Sequence, residues 1–158
     1  MQDKNSSINT GEDIQADTSS WTFEGISNIF DKHIEKSVPL YEESHELITS
    51  FSDYFVQKGA KIIDLGSSTG TLIKKISDRH NLLENIEFYL IDEVEDMISY
   101  SKENLSDNTT KIKNHKFHYI SKSISDYDLP KNASLIFSIY TMQFISPAIR
   151  QIIINKIY

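Results

Sequence analysis

Apolar residues recur along this chain with two different periods, and the alternation of these periods predicts the fold. Short apolar runs, typical of strands buried in a sheet, occur at 61–65, 86–91, 116–121 and 133–139. Apolar residues at helical spacing occur at 71–80, 94–105 and 146–157. Strands that alternate with helices favour parallel pairing through right-handed crossovers. The pattern therefore predicts an α/β, Rossmann-like fold with a doubly wound parallel sheet.

Two helical patterns precede the first strand. The first carries Phe23, Ile26, Ile29, Phe30, His33 and Ile34, and Val38-Pro39 ends it. We expect His33 to be a hydrogen-bonded core residue. The second carries Tyr41, Ile48, Phe51 and Phe55 on one stripe and ends at Lys58-Gly59. Residues 1–20 are polar, which predicts a disordered tail, and residues 21–158 form one domain.

Composition narrows the function classes. The formal net charge of −7 disfavours a nucleic-acid-binding surface, because phosphate binding needs clustered Lys and Arg. No apolar run or N-terminal pattern predicts a membrane span or a signal peptide, so we expect a cytoplasmic protein with no membrane partner. Cysteine is absent, and His115 and His118 point to opposite faces of a strand. We predict no metal site.

The candidate ligand site is the turn between the first strand and the helix that follows it, Asp64-Leu-Gly66-Ser-Ser-Thr-Gly70. Backbone N–H groups at a helix start are unsatisfied, and glycines let a ligand approach them closely. A dinucleotide fingerprint would need glycine at positions 68 and 71, where Ser68 and Thr71 stand. A P-loop would need Gly-Lys after the second glycine, and Gly70 is followed by Thr-Leu.

The same turn also fits the nucleophile elbow of serine hydrolases, G-x-S-x-G between a strand and a helix. Ser68 would be the nucleophile, with Asp92 or Asp96 as the acid and His115 as the base. However, the hydrolase elbow follows several strands that supply the oxyanion loop, and here two helices come first. We therefore regard a serine hydrolase as the less favoured alternative.

Residues 64–70 also resemble the cofactor loop of the class I S-adenosylmethionine-dependent methyltransferases, an acidic residue followed by spaced glycines. Such a loop needs a second acid at the end of the next strand, where a carboxylate accepts from both ribose hydroxyls. Asp92 and Glu93 follow the run at 86–91. The pair of signals favours S-adenosyl-L-methionine as the cofactor.

The N-terminal motifs resemble the carboxy-S-adenosylmethionine synthase group, methyltransferase-fold enzymes of tRNA wobble-uridine modification. These motifs are Trp21-Thr-Phe23, Ile29-Phe-Asp-x-His-Ile34, Ser37-Val-Pro-x-Tyr41 and Phe55-Val-x-x-Gly59. The resemblance implies Tyr41 over the methionyl end, Gly66, Ser67 and Ser68 around it, and Asp92 with Glu93 at the ribose. It also implies Ser123 and Ile124 beside the adenine.

Several departures from this group's motifs make the resemblance a better guide to the fold than to the reaction. Ser123 replaces an aspartate, Ile139 replaces an asparagine, and the group's carboxylate-binding arginine falls beyond Tyr158. Neither Arg79 nor Arg150 is well placed to replace it. The chain therefore resembles an N-terminal portion, and a non-catalytic cofactor-binding or interaction module remains an alternative. No catalytic residue is assigned, and the expected partners are a small molecule, prephenate if the reaction matches, and a second copy if the chain dimerises.

Overall fold

The computed structural model describes residues 27–109 and 115–158. The helices are α1 (Ser27–Ser37), α2 (Tyr41–Phe51), α3 (Thr71–Arg79), α4 (Glu95–Thr109) and α5 (Pro147–Ile157). The strands are β1 (Lys61–Leu65), β2 (Glu87–Asp92), β3 (Lys116–Ser121) and β4 (Leu135–Phe137), and short 3₁₀ turns cover Ser52–Tyr54 and Met142–Phe144. The tail predicted at 1–20, together with Trp21 and Phe23, lies outside the described residues. None of the helices in the described ranges has the length and apolar character needed to cross a membrane.

The four strands form one parallel sheet in the order β3-β2-β1-β4. The chain moves outward from β1 through β2 to β3, and then returns to the other side of β1 to add β4. Ligands of such sheets bind at the carboxyl ends of the strands, where the strand order reverses. The prediction of a doubly wound, Rossmann-like α/β sheet is confirmed, and the reversal lies between β1 and β4.

Apolar side chains cover both faces of the sheet because successive strand residues point to opposite sides. On one face Ile62 and Phe88 pack with α3 and α4 through Ile73, Ile76 and Leu105. On the other face the fully buried residues are Ile63, Leu65 and Ile91, and α5 contributes Ile153. Helices on both faces hold the strands rigid, so the loops at their carboxyl ends start from fixed positions.

Three predicted elements differ from the structure by more than one residue at an end. The strand predicted at 133–139 is confined to Leu135–Phe137, and the chain turns sharply at Tyr140, whose φ is 55°. The helix predicted at 94–105 continues to Thr109. The helix predicted to end at Lys58-Gly59 is wrong at that end, because α2 ends at Phe51 and only a 3₁₀ turn follows. Its predicted stripe is wrong in part, because Phe51 and Phe55 are about half exposed while His45 and Thr49 are buried.

Candidate functional site

A cavity of about 700 Å³ opens at the carboxyl edge of the sheet. Its floor consists of the loops that follow β1 and β2, and its cover consists of α1 and α2. Nine predicted site residues line it: Tyr41, Asp64, Gly66, Ser67, Ser68, Asp92, Glu93, Ser123 and Ile124. Gly70 does not line the cavity. The size is within the ~300–1,000 Å³ typical of small-ligand pockets.

The glycine loop, residues 66–70, is shaped by two left-handed glycines. Gly66 has φ +85°, and a Cβ at this position would lie 2.2 Å from the Thr141 side chain. Gly70 has φ +75° and caps the N-terminus of α3, where a Cβ would lie 3.0 Å from Ser101. Both glycines are therefore required by the fold, and Gly70 serves it by starting α3.

Asp92 joins the two loops of the floor. Its Oδ2 accepts a hydrogen bond from the Ser68 N–H at 2.9 Å, and its Oδ1 accepts from the Val94 N–H at 3.0 Å. The Ser68 backbone needs this fixing, because its φ of 47° is unfavourable for a residue with a side chain. A strand-end carboxylate thus holds the glycine loop and the β2–α4 loop in one arrangement.

Asp64 is the most buried acid of the site, with 3% of its surface exposed. Burial raises the pKa of Asp64 well above its ordinary value, and the nearby charge of Asp92 raises it further. Burial also raises the pKa of Asp92, against the two backbone N–H groups that lower it. Two acids that are costly to charge, set side by side in a cavity, are typical of a site that binds a cationic or hydroxyl-rich ligand.

The cover is fixed to the floor by an acid that the sequence motifs did not single out for a role. Asp31 of α1 accepts hydrogen bonds from the Thr69 hydroxyl at 2.6 Å and from the Thr71 hydroxyl at 2.9 Å. On α2, Tyr41 stacks on Tyr140 with ring centroids 5.9 Å apart. The cover is thus attached to the glycine loop by one carboxylate and to the end of β4 by stacked rings.

Two histidines of the cover line the cavity, and both were missed as site residues. His33 was predicted to be a core residue, and this was wrong in part: it is half-buried on the cavity wall, with its Nε2 3.2 Å from the Ser37 hydroxyl. His45 is 3% exposed, and its Nδ1 has no hydrogen-bond partner among the described residues. Its spacing of one turn from Tyr41 was a usable signal, because residues i and i+4 share a helix face.

The structure gives no support to a hydrolase triad at Ser68. The Ser68 hydroxyl contacts the Met97 sulfur at 3.5 Å. His115, the predicted base, contacts the Ser77 hydroxyl and the Leu83 carbonyl oxygen instead. As predicted, His115 and His118 face opposite sides of the sheet, since the first packs on Phe88 and the second on Tyr89.

The remaining predicted contacts lie at the ends of β3 and β4. The Ser123 hydroxyl is 3.0 Å from the Ser125 hydroxyl, and Ile139 adds apolar lining where the resemblance has an asparagine.

Both arginines bond to other groups of the chain instead of lining the cavity. Arg79 pairs with Asp53, and Arg150 donates to the carbonyl oxygens of Ile145 and Gln143. Within the described part of the chain, no Lys or Arg lines the cavity.

Comparison with known proteins gives the family. Residues 56–149 match the methyltransferase domain family. Carboxy-S-adenosyl-L-methionine synthase from Staphylococcus epidermidis is 36% identical over 141 residues, which are 87% of this chain and 57% of the relative. The chain spans about half the length of the curated relatives that it matches.

Solved structures agree on the fold. An S-adenosylmethionine-dependent methyltransferase from Clostridium acetobutylicum superposes with a TM-score of 0.59 at 14% identity, over 84% of this chain and 50% of that one. Magnesium protoporphyrin IX methyltransferase from Synechocystis, solved with bound S-adenosylmethionine, gives 0.57 at 9% identity, over 73% and 52%. With the family match over 56–149 and the parallel sheet that carries it, this chain belongs to the methyltransferase domain family.

Proposed function

We propose that this chain is an S-adenosylmethionine-dependent transferase that binds its cofactor along the carboxyl edge of the sheet. The proposal places the adenine beside Ser123 and Ile124, the ribose at Asp92 and Glu93, and the methionyl end under Tyr41. Relatives named as synthases of carboxy-S-adenosyl-L-methionine support it, as does a structural neighbour with bound S-adenosylmethionine. The cavity carries polar groups at each of these three places.

The observation that carries the proposal is the hydrogen bonding of Asp92. Each of its oxygens accepts one backbone N–H from the floor loops. A carboxylate has about four lone-pair sites, so roughly two remain for a ligand. Because Asp92 also lines the cavity, these sites suit a pair of neighbouring hydroxyls such as those of a ribose.

The glycine loop supplies a second set of ligand groups. The Ser67 hydroxyl is buried and unpartnered among the described residues, and Gly66 lies on the cavity wall. Asp64 offers a buried carboxyl oxygen as an acceptor. In this proposal Ser67, Ser68 and Gly66 enclose the methionyl end, whereas Gly70 contributes by starting α3.

When bound, S-adenosylmethionine supplies an electrophilic carbon on its sulfonium sulfur. A methyl transfer would draw on that reactivity, which the cofactor itself carries. This chain's residues then have to position the reacting groups and exclude water, which needs no protein nucleophile. The apolar cover residues Phe30, Ile34 and Val38 suit the second task.

Calorimetry of the purified chain against S-adenosylhomocysteine, NAD and ATP tests the cofactor. We expect S-adenosylhomocysteine to bind most tightly. Asp92→Asn keeps the shape of the side chain but removes its charge, and should weaken binding by about 10-fold or more. Asp96→Asn, on an exposed acid of α4 outside the cavity, is the matched control. Tighter binding of NAD would refute the proposal.

The finer proposal follows the curated relatives. We propose that this domain takes part in the reaction that these relatives' names describe, formation of carboxy-S-adenosyl-L-methionine. As the motif resemblance implies, prephenate would be the carboxyl source, the product would serve tRNA modification in the cytoplasm, and the chain would pair as a homodimer. The test is incubation with S-adenosylmethionine and prephenate, followed by mass spectrometry. We expect no cofactor heavier by one carboxyl group from this chain unaided, because no Lys or Arg of the described residues lines the cavity. Detection of that product would contradict this expectation.

A further inference from the structure

Two buried polar atoms on the cavity wall, one on α2 and one in the glycine loop, need a partner. His45 is 3% exposed and Ser67 is 6% exposed, and both line the cavity. The His45 Nδ1 and the Ser67 hydroxyl have no hydrogen-bond partner among the described residues. Leaving a buried polar group unpaired costs about 1–3 kcal/mol, so such atoms on a cavity wall suit hydrogen bonds to a polar ligand.

The strand order gives the position of His45 along the cavity. From β3 through β2 and β1 to β4, the edge presents in turn Ile124, Asp92, Asp64 and Tyr140. His45 packs on Tyr41 with ring centroids 4.2 Å apart, and Tyr41 stacks on Tyr140. His45 therefore lies at the end of the cavity opposite Ile124, beyond the place proposed for the ribose.

The chemistry of this end suits a group that carries both charges. Asp64 offers a carboxyl oxygen to an ammonium group. The Ser67 hydroxyl is a donor, and His45 is a donor when its Nδ1 carries the proton. Burial lowers the pKa of His45, so its ring is neutral at neutral pH and holds one N–H. Among the described lining residues, the side chains able to take a positive charge are His33 and His45.

We propose that His45 and Ser67 donate hydrogen bonds to the carboxylate of a zwitterionic amino-acid tail, whose ammonium group pairs with Asp64. This inference rests on the proposed function, because S-adenosylmethionine carries such a tail. It makes His45 the residue that lets the cavity select nucleosides with an amino-acid tail over nucleosides without one.

Two probes separate the tail from the nucleoside. S-adenosylhomocysteine has the tail, and 5′-methylthioadenosine has the same adenosine and thioether without it. Calorimetry on the whole chain should show that His45→Leu weakens S-adenosylhomocysteine about 10- to 100-fold and changes 5′-methylthioadenosine less than about 3-fold. His45→Asn, whose amide nitrogen reaches nearly the place of Nδ1, should retain most of the affinity.

The matched control is Thr49→Val. Thr49 lies one turn further along α2, is 6% exposed, and also has an unpartnered hydroxyl, but it does not line the cavity. It should leave both affinities unchanged. Equal weakening of both ligands by His45→Leu, no weakening of either, or an Asn variant as weak as the Leu variant would each overturn the inference. If the unmodified chain binds neither probe, the proposed function fails as well.

Discussion

The floor of the cavity and its cover are held in place by different kinds of contact. In the floor, backbone groups of the loops bond to the strands, as when the Gly66 and Ser67 N–H groups both donate to the Ile91 carbonyl oxygen. In the cover, α1 and α2 are attached through side chains, with Asp31 bonded to two threonine hydroxyls and Lys75 of α3 paired with Glu42 and Glu46.

This difference predicts unequal robustness. Backbone contacts in the floor are continuous with the buried sheet, so a change there disturbs the core. The Lys75 pairs are partly exposed, and such pairs are worth about 0–1 kcal/mol each. The cover can therefore be loosened by one substitution that leaves the sheet intact, whereas the floor cannot.

The largest expected effect comes from Gly66→Ala. The added Cβ would lie 2.2 Å from Thr141 Oγ1, on a backbone whose φ of +85° disfavours any side chain. Left-handed strain costs about 1–3 kcal/mol, and overpacking costs about 1–3 kcal/mol. We expect the free energy of unfolding in urea to fall by about 2–5 kcal/mol, with loss of cofactor binding.

Gly59→Ala is the control for this change. Gly59 has a similar φ of +78°, but nothing lies within 4 Å of its Cβ position. Gly59→Ala should therefore introduce backbone strain without a clash, and lower the free energy of unfolding by less than Gly66→Ala does. Equal losses in the two variants would mean that Thr141 yields freely and that the floor is less rigid than we infer.

The floor could be predicted from sequence because its signals are local. Gly66, Gly70 and Asp92 stand at fixed offsets from apolar strands, and the structure places Gly66 and Asp92 at the ends of β1 and β2 and Gly70 at the start of α3, as predicted. The strand at 61–65 was predicted with the boundaries that the structure shows. Backbone conformation and strand ends leave short-range patterns that a single sequence displays.

The cover could not be predicted to the same degree because its contacts are long-range. Asp31 bonds to threonines 38 and 40 positions away, and no spacing rule relates such residues. On α2 the stripe prediction assumed that apolar residues face inward. The helix instead buries the face that carries His45 and Thr49, so Phe51 lies on its exposed side, and Phe55 follows the 3₁₀ turn with about half of its surface exposed.

A smaller effect is expected from Asp31→Ala, which removes both hydrogen bonds between α1 and the glycine loop. Hydrogen bonds to a partly exposed carboxylate suggest a loss of about 1–3 kcal/mol in the free energy of unfolding. Because α1 lines the cavity, S-adenosylhomocysteine should also dissociate faster, and stopped-flow measurement would show this. Lys32→Ala, on the exposed side of the same helix, should change neither quantity.

Two results would contradict this account of the cover. One is an Asp31→Ala protein with unchanged dissociation, which would mean that the other contacts of the cover, among them the Tyr41–Tyr140 stacking and the Lys75 pairs, hold the helices without Asp31. The other is a Lys32→Ala protein that releases the ligand equally fast, which would mean that any change on α1 has this effect.

A change in stability of opposite sign is expected from Asp64→Asn, which alters a side chain of the floor and leaves its backbone contacts in place. In the chain without ligand, burial raises the pKa of Asp64 above its ordinary 3.8, so over a range of pH above that value the folded state keeps a proton that the unfolded chain releases. Stability is therefore full below about pH 4 and is lost as the pH rises through the folded-state pKa. Asn cannot ionise, so the free energy of unfolding of the variant should match that of the unmodified chain near pH 4 and exceed it increasingly toward neutral pH. The variant should also lose affinity for the ammonium end of the ligand.

Asp53→Asn is the control of opposite sign, because hydrogen bonding to Arg79 lowers the pKa of Asp53. Urea unfolding at a series of pH values measures both, and a stability difference for Asp64→Asn that does not vary with pH would show that Asp64 ionises as freely in the fold as outside it.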